Sequence, residues 1–176
     1  MSFDATAEES GPTLVCGLGN PILGDDGVGW HVVDALDRRL AAETGLRVAL
    51  GRLELERSAV GGLSLMERLV GYHRVVLVDA AADGHPAGSV WTGSVTNAGF
   101  RAPAHLDSAH DTTLARALEM GDALGAHMPD EILIVTVSVD RLGDFGATLS
   151  PGIEAAVEPA VDALVDLLVA ARLGDS

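Results

Sequence analysis

Thr13 to Leu40 reads TLVCGLGNPILGDDGVGWHVVDALDRRL, and its punctuation decides the fold. The opening TLVCG, Thr13 to Gly17, is a short apolar run closed by glycine, as suits a buried strand. A glycine-rich loop follows. Val28, Val32, Leu36 and Leu40 then recur at four-residue spacing, which predicts an amphipathic helix.

The same grammar repeats outward from this unit. Arg47 to Leu55 alternates apolar and polar residues and predicts a second strand, and Gly61-Gly62 introduces a short helix over Leu63 to Val70. RVVLVD, Arg74 to Asp79, is a continuous apolar run, the pattern of a central strand covered on both faces. Gly88 to Val95 predicts a fourth strand, with a loop onward to Ser108 and a helix from Asp111 to Met120. EILIVTVSV, Glu131 to Val139, predicts a fifth strand. In the last helix Ser150 can cap, Pro151 takes the first helical position, and Val157, Val161, Leu164 and Leu168 form the apolar stripe. Strands alternating with helices imply an α/β domain, a largely parallel sheet with helices on both faces. Residues 12–173 are expected to form this one domain, with residues 1–11 as a flexible tail.

The 176 residues suffice for one sizeable core, and with only 3% aromatics that core must be aliphatic. Against 26 Asp+Glu stand 11 basic residues, all of them arginine, for a formal charge of −15. A protein so acidic repels a polyanion, and no basic patch interrupts it, so nucleic acid is excluded as a partner. An anionic membrane surface is disfavoured for the same reason. Cys16 is the lone cysteine, which excludes an internal disulfide and fits a reducing compartment. The N-terminus lacks a basic-then-apolar leader pattern, and the most apolar stretch, Val157 to Leu173, is broken by Glu158, Asp162, Asp166 and Arg172. These features predict a cytoplasmic protein that does not span a membrane.

In open α/β sheets, ligands bind beyond the carboxyl ends of the strands, where connections diverge to opposite faces. Asp25-Asp26 lies in the loop after the first strand, and Asp79 closes the third. If the second strand packs outside the first, the first and third are neighbours and their loops bring Asp26 and Asp79 together. Clustered carboxylates repel unless a proton or a cation lies between them. A single acid at a strand end is ordinarily a helix cap or a solvated group; the pairing is what makes these candidates. The third candidate is His110, in LDSAHD, Leu106 to Asp111, which reads as a capped helix start. There the helix dipole disfavours imidazolium and leaves a neutral ring able to bind metal. Asp, Asp and His offer hard oxygens and a borderline nitrogen, with coordination positions left open for a substrate. Of the six histidines, His105 is the rival to His110; His31, His73, His85 and His127 have no evident acidic partner and read as structural or exposed.

GLGNPILGDDGVG, Gly17 to Gly29, resembles the signature of the hydrogenase maturation proteases, G-x-G-N-x-[IL]-x-x-D-[DE]-G-[IV]-G. RVVLVDAA with Asp79, Ser108-Ala109-His110, and LSPGIEAAVEPAVDAL from Leu149 are similar to further elements of that family, so the likeness runs over residues 13–172. The resemblance implies a three-layer α/β/α sandwich around a mostly parallel, twisted five-stranded sheet of the phosphorylase/hydrolase-like kind. It implies an endopeptidase that meets the precursor of a nickel-iron hydrogenase large subunit after nickel insertion and removes its C-terminal peptide. By the same resemblance Asp26, Asp79 and His110 sense the nickel, which the substrate carries; the isolated protein could take another divalent metal. Asp26 stands where some members have Glu, one methylene longer. Bond cleavage could use metal polarisation or Asp25 or Asp26 as general base, with Asp79 alongside, and the Gly27-Val28-Gly29 turn could offer N–H groups to an oxyanion.

Other readings fit less. Peptidyl-tRNA hydrolases also open with GLGNP, but their T-R-H-N segment is absent and the charge suits tRNA badly. A dinucleotide-binding loop would have glycine where Ile22 stands, and Asp25-Asp26 would repel a pyrophosphate. A non-catalytic nickel chaperone docking on a metalloprotein would use the same Asp/Asp/His trio.

Overall fold

Strand β1 (Thr13–Leu18) lies inside a five-stranded sheet of order β2-β1-β3-β5-β4, with β2 at Leu53–Ser58, β3 at Arg74–Ala81, β4 at Val90–Thr96 and β5 at Glu131–Ser138. The computed structural model describes residues 11–59, 62–96, 118–143 and 145–174. β1, β2, β3 and β5 run parallel, and β4 pairs antiparallel with β5 at the edge. Every residue of β3 is buried, as its unbroken apolar run requires.

Helices cover both faces. On one side α1 (Val28–Ala42), α2 (Thr44–Leu50) and the C-terminal helix α5 (Pro151–Gly174) pack over Val15, Val76, Val78, Ala80, Leu133, Val135 and Val137. On the other, Leu65, Met66 and Leu69 of α3 (Gly62–Leu69), with Leu118 of α4 (118–123), cover Leu14, Cys16, Leu18, Val75, Leu77, Ile132 and Ile134. The alternation between these two sets is the period-two signature of a strand buried on both sides. The stripe read from α1 is the buried one: Val28, Val32, Leu36 and Leu40 all reach the core.

The expected second strand over Arg47 to Leu55 is corrected. Residues Thr44–Leu50 are helical, and the strand begins only at Leu53. Over this stretch the period that matters is four, since Leu46 and Leu50 pack on the core while Val48 is 74% exposed. Gly51, at φ +71°, ends the helix and its N–H closes back on the Arg47 carbonyl at 3.2 Å. The alternation seen in the sequence came from reading a helix end and a strand start as one element.

The expected loop to Ser108, and the expected helix as far as residue 117, lie outside the described residues, as do residues 1–10 of the tail. Among the described residues no helix is long and apolar enough to cross a membrane.

Candidate functional site

The loop after β1 folds back onto its own strand, and the glycines are what permit it. A Cβ on Gly17 would meet the Gly29 carbonyl oxygen at 2.4 Å, and one on Gly29 would meet the carbonyl oxygens of both Leu18 and Val78 at 2.4 Å. The first turn of α1 is thereby pressed directly on the ends of β1 and β3. Gly19, at φ +119°, lies with its would-be Cβ 1.8 Å from the Asp26 carbonyl oxygen, a position open only to glycine.

That compression places Asp26. The turn Gly24–Gly27 is a short 3-10 helix in contact with β3. The Asp26 carboxylate turns inward, 8% exposed, and its Oδ2 accepts the Asn20 N–H at 2.7 Å. Asp79, 5% exposed, ends the alternation of Val75 and Leu77 and faces the α3 side, and its Oδ1 accepts the Ala80 N–H at 2.9 Å. β1 and β3 are hydrogen-bonded neighbours with β2 outside β1, so both buried acids stand at the carboxyl edge of adjacent parallel strands. The strand order, with β2 outside β1, is the one the sequence reading required for a switch point between β1 and β3. The charge of Asp79 reaches the Cys16 thiol: burial above all pushes that thiol up to about 12, Arg68 lowers it, and Asp79 adds to the rise.

Asp25 points elsewhere. Its Oδ1 accepts the Ser150 backbone N–H at 2.6 Å, and so holds the start of α5. The Val28 N–H is committed to the Asp25 carbonyl, which removes it from the oxyanion role considered for that turn. His110, its rival His105 and the capping residues Ser108 and Asp111 lie outside the described residues. Among the described residues no group of three His, Cys, Asp or Glu is placed to hold a metal ion, so Asp26 and Asp79 are the part of the expected trio on view.

Two histidines read as lacking acidic partners have them. His73 Nδ1 lies 2.7 Å from Asp130 Oδ2, and His85 Nδ1 lies 3.2 Å from Asp83 Oδ2. In the second pair, burial alone would raise the Asp83 carboxyl, but the His85 N–H, the Ser138 hydroxyl and the His85 ring together hold it below the usual carboxylate value. The His85 ring packs against Trp91 at 4.8 Å between centroids. Asp79 pairs with Thr136, which pairs with Trp91, so this cluster continues the same face of the sheet from β3 to its edge. The D-x-H spacing was visible in sequence, but the Ser138 and Trp91 contacts come only from strand register. His31 lines an open cleft of about 380 Å³ with Arg38, Glu154 and Glu158, and neither Asp26 nor Asp79 borders it.

The hydrogenase maturation protease family profile matches residues 31–167, most of the chain. The chain belongs to this family. Among sequence relatives, the hydrogenase expression/formation protein HupD of Thiocapsa roseopersicina is 28% identical over 93% of this chain and 72% of its own length. HoxM of Azotobacter vinelandii, likewise named a hydrogenase expression/formation protein, is 27% identical over 93% of this chain and 78% of its own. Of solved structures, the hydrogenase maturating endopeptidase HybD of E. coli superposes with a TM-score of 0.69 at 21% identity, covering 90% of this protease and 92% of HybD. HybD of Thermococcus kodakarensis, titled a [NiFe] hydrogenase maturation protease, gives 0.61 at 25% identity over 90% and 99%. The protease is thus an endopeptidase of hydrogenase maturation on the α/β sandwich of its family.

Proposed function

We propose that this protease removes a short C-terminal peptide from the precursor of a nickel-iron hydrogenase large subunit, in the cytoplasm, after nickel has been inserted. In this reading Asp26, Asp79 and His110 recognise the nickel that the precursor carries. The observation that carries it is the pair of buried acids, Asp26 and Asp79, at the ends of adjacent strands in a protease of hydrogenase maturation.

Clustered carboxylates repel unless a proton or a cation lies between them. A divalent cation supplies positive charge, and carboxylate oxygens with an imidazole nitrogen are donors such a cation accepts. When bound, the metal also polarises whatever carbonyl or water it touches. Hydrolysis adds water across the peptide C–N bond. The proton lost by water as its oxygen attacks the carbonyl carbon goes to a carboxylate, and the departing amide nitrogen gains one. Asp26 and Asp79 are the carboxylates we assign to this work. Asp25, the other candidate base, is less buried than either, and its contact with the Ser150 N–H serves to hold the loop in which Asp26 sits.

The test is product mass. Incubation with nickel-loaded precursor should yield a shortened large subunit by mass spectrometry, and precursor without nickel should stay intact. Tight binding without any loss of mass would overturn the cleavage reading in favour of a docking nickel chaperone.

A further inference from the structure

Hydrolysis of an amide needs a proton delivered as well as one removed. Asp26 and Asp79 take the proton that water loses, but an amide nitrogen leaves poorly until it gains one. Histidine is the side chain suited to carry that proton near neutral pH. Three of the described histidines lie away from the two acids. His73 directly precedes β3 and the His127 carbonyl accepts the Gly71 N–H, which places both at the opposite edge of the sheet, and His31 is on α1.

His85 is at the right edge and on the right face. Val90 of β4 packs on the α1 side, so Trp91 faces the α3 side, as Asp79 and Thr136 do. The register puts Asp79, Thr136 and Trp91 in one row across β3, β5 and β4. Two interstrand spacings separate the Asp79 and Trp91 backbones by about 10 Å, and the His85 ring packs on Trp91. An acid and a base that must flank both a bond and a water stand roughly 6.5–9.5 Å apart in inverting glycosidases, a comparable span.

The loop that carries His85 is locked to β5. The Gly88 N–H donates to the Ser138 carbonyl, and the Ser138 N–H to the Ser89 carbonyl, each at 2.8 Å. The Asp83 side chain, 1% exposed, accepts the Ser138 hydroxyl and the His85 N–H and lies 3.2 Å from His85 Nδ1. Nδ1 is itself buried while the side chain as a whole is 33% exposed, so solvent reaches the ring along its far edge, the edge of Nε2. A ring with Nδ1 on a carboxylate keeps one proton there and gains or gives the other at Nε2, and the carboxylate stabilises the imidazolium.

We propose that His85 is the general acid of the cleavage, giving its Nε2 proton to the amide nitrogen as the C–N bond breaks. The inference rests on the protease reading above and deepens it. Water adds its oxygen to the carbonyl carbon and loses a proton to Asp26 or Asp79. The electron pair of the C–N bond leaves with nitrogen, which takes the Nε2 proton, and the neutral ring regains a proton from solvent. Asp83 does not touch the substrate; it is a positioning residue that orients His85.

The experiment uses the full chain with nickel-loaded precursor and compares His85→Gln, Asp83→Asn and the control His31→Gln with wild type, after circular dichroism establishes that each is folded. His85→Gln should lower kcat roughly a hundredfold with KM within about twofold. The fall of wild-type kcat at high pH, where the imidazolium is lost, should be absent from that variant. Asp83→Asn should keep the fall but move it to lower pH, a change that a merely structural role would not produce. His31→Gln should behave as wild type. Wild-type kcat in His85→Gln, or a raised KM with kcat unchanged, overturns the acid and leaves the protease reading standing. Should His85→Gln not fold, the Asp83→Asn profile decides: displaced, the acid stands; superimposable on wild type, it falls. Precursor left at full length by wild type overturns the protease reading and the acid with it.

Discussion

The Asp25 carboxylate accepts a hydrogen bond from the Ser150 backbone N–H at 2.6 Å, joining residues 125 positions apart in sequence. With the Leu23–Gly146 bridge beside it, this contact makes one rim of the glycine-rich loop and the segment leading into α5. Of two consecutive aspartates, one braces that rim and the other turns its carboxylate into it.

Asp25→Ala should therefore destabilise the fold by about 1 kcal/mol, the worth of a partly solvated charge-assisted hydrogen bond. Denaturant midpoints measure this, and faster amide exchange at Gly24 and Gly146 should accompany it. Processing should slow without vanishing. A variant as inactive as Asp26→Ala at full stability would instead make Asp25 the base.

Asp79→Ala and His110→Ala should leave the circular dichroism spectrum unchanged and abolish processing of nickel-loaded precursor. Asp79 lies two residues before the end of β3, and its backbone pairing with Thr136 of β5 does not involve its carboxylate. Full processing by both variants would remove these residues from the site.

Gly29→Ala offers a contest between propensity and sterics. Within a helix alanine is favoured over glycine by about 1 kcal/mol. Here, however, the new Cβ would lie 2.4 Å from the backbone oxygens of Leu18 and Val78, neither of which can rotate away. Sterics should win, with a net loss of roughly 2–3 kcal/mol in chemical denaturation. An unchanged or raised midpoint would mean that α1 does not press on β1 and β3 as described.

Tyr72 is the single tyrosine and hence its own spectroscopic probe. Its hydroxyl donates to Glu54 Oε2 at 2.6 Å, and this bond, more than burial, pushes its pKa up to about 12. Because the folded value is raised, the associated stability is whole below the unfolded value near 10 and is lost as pH rises through about 12. Absorbance titration should show a late phenolate transition, and Glu54→Gln should bring it down. A midpoint near 10 in the wild type refutes the pairing.

Cys16 should be inert while the protein is folded. Burial pushes its thiol up to about 12, so almost no thiolate exists at pH 8, and the side chain lies beneath α3. Labelling with a thiol reagent should be slow in buffer and quick in denaturant. Rapid labelling of folded protein would show that the α3 face opens.

Sequence alone determined the layers. Apolar runs such as RVVLVD can be satisfied only between two covers, and the four-residue stripe of α1 can bury only one face, so periodicity dictated strand, helix and sandwich. It marked Asp26 and Asp79 too, since an acid in the loop after one apolar run and an acid closing another both fall at the carboxyl edge of a sheet. Tertiary structure decided what local pattern cannot encode. The period at Leu46 and Leu50 was set by which residues found the core, not by alternation, and the strand order that makes β1 and β3 neighbours is a global choice. The division of labour between Asp25 and Asp26, identical side chains in identical local company, depends on Ser150 and Asn20, and one of these lies 125 residues away. The bridge between Leu23 and Gly146 has the same origin, because a bridge between loops is written in neither loop by itself.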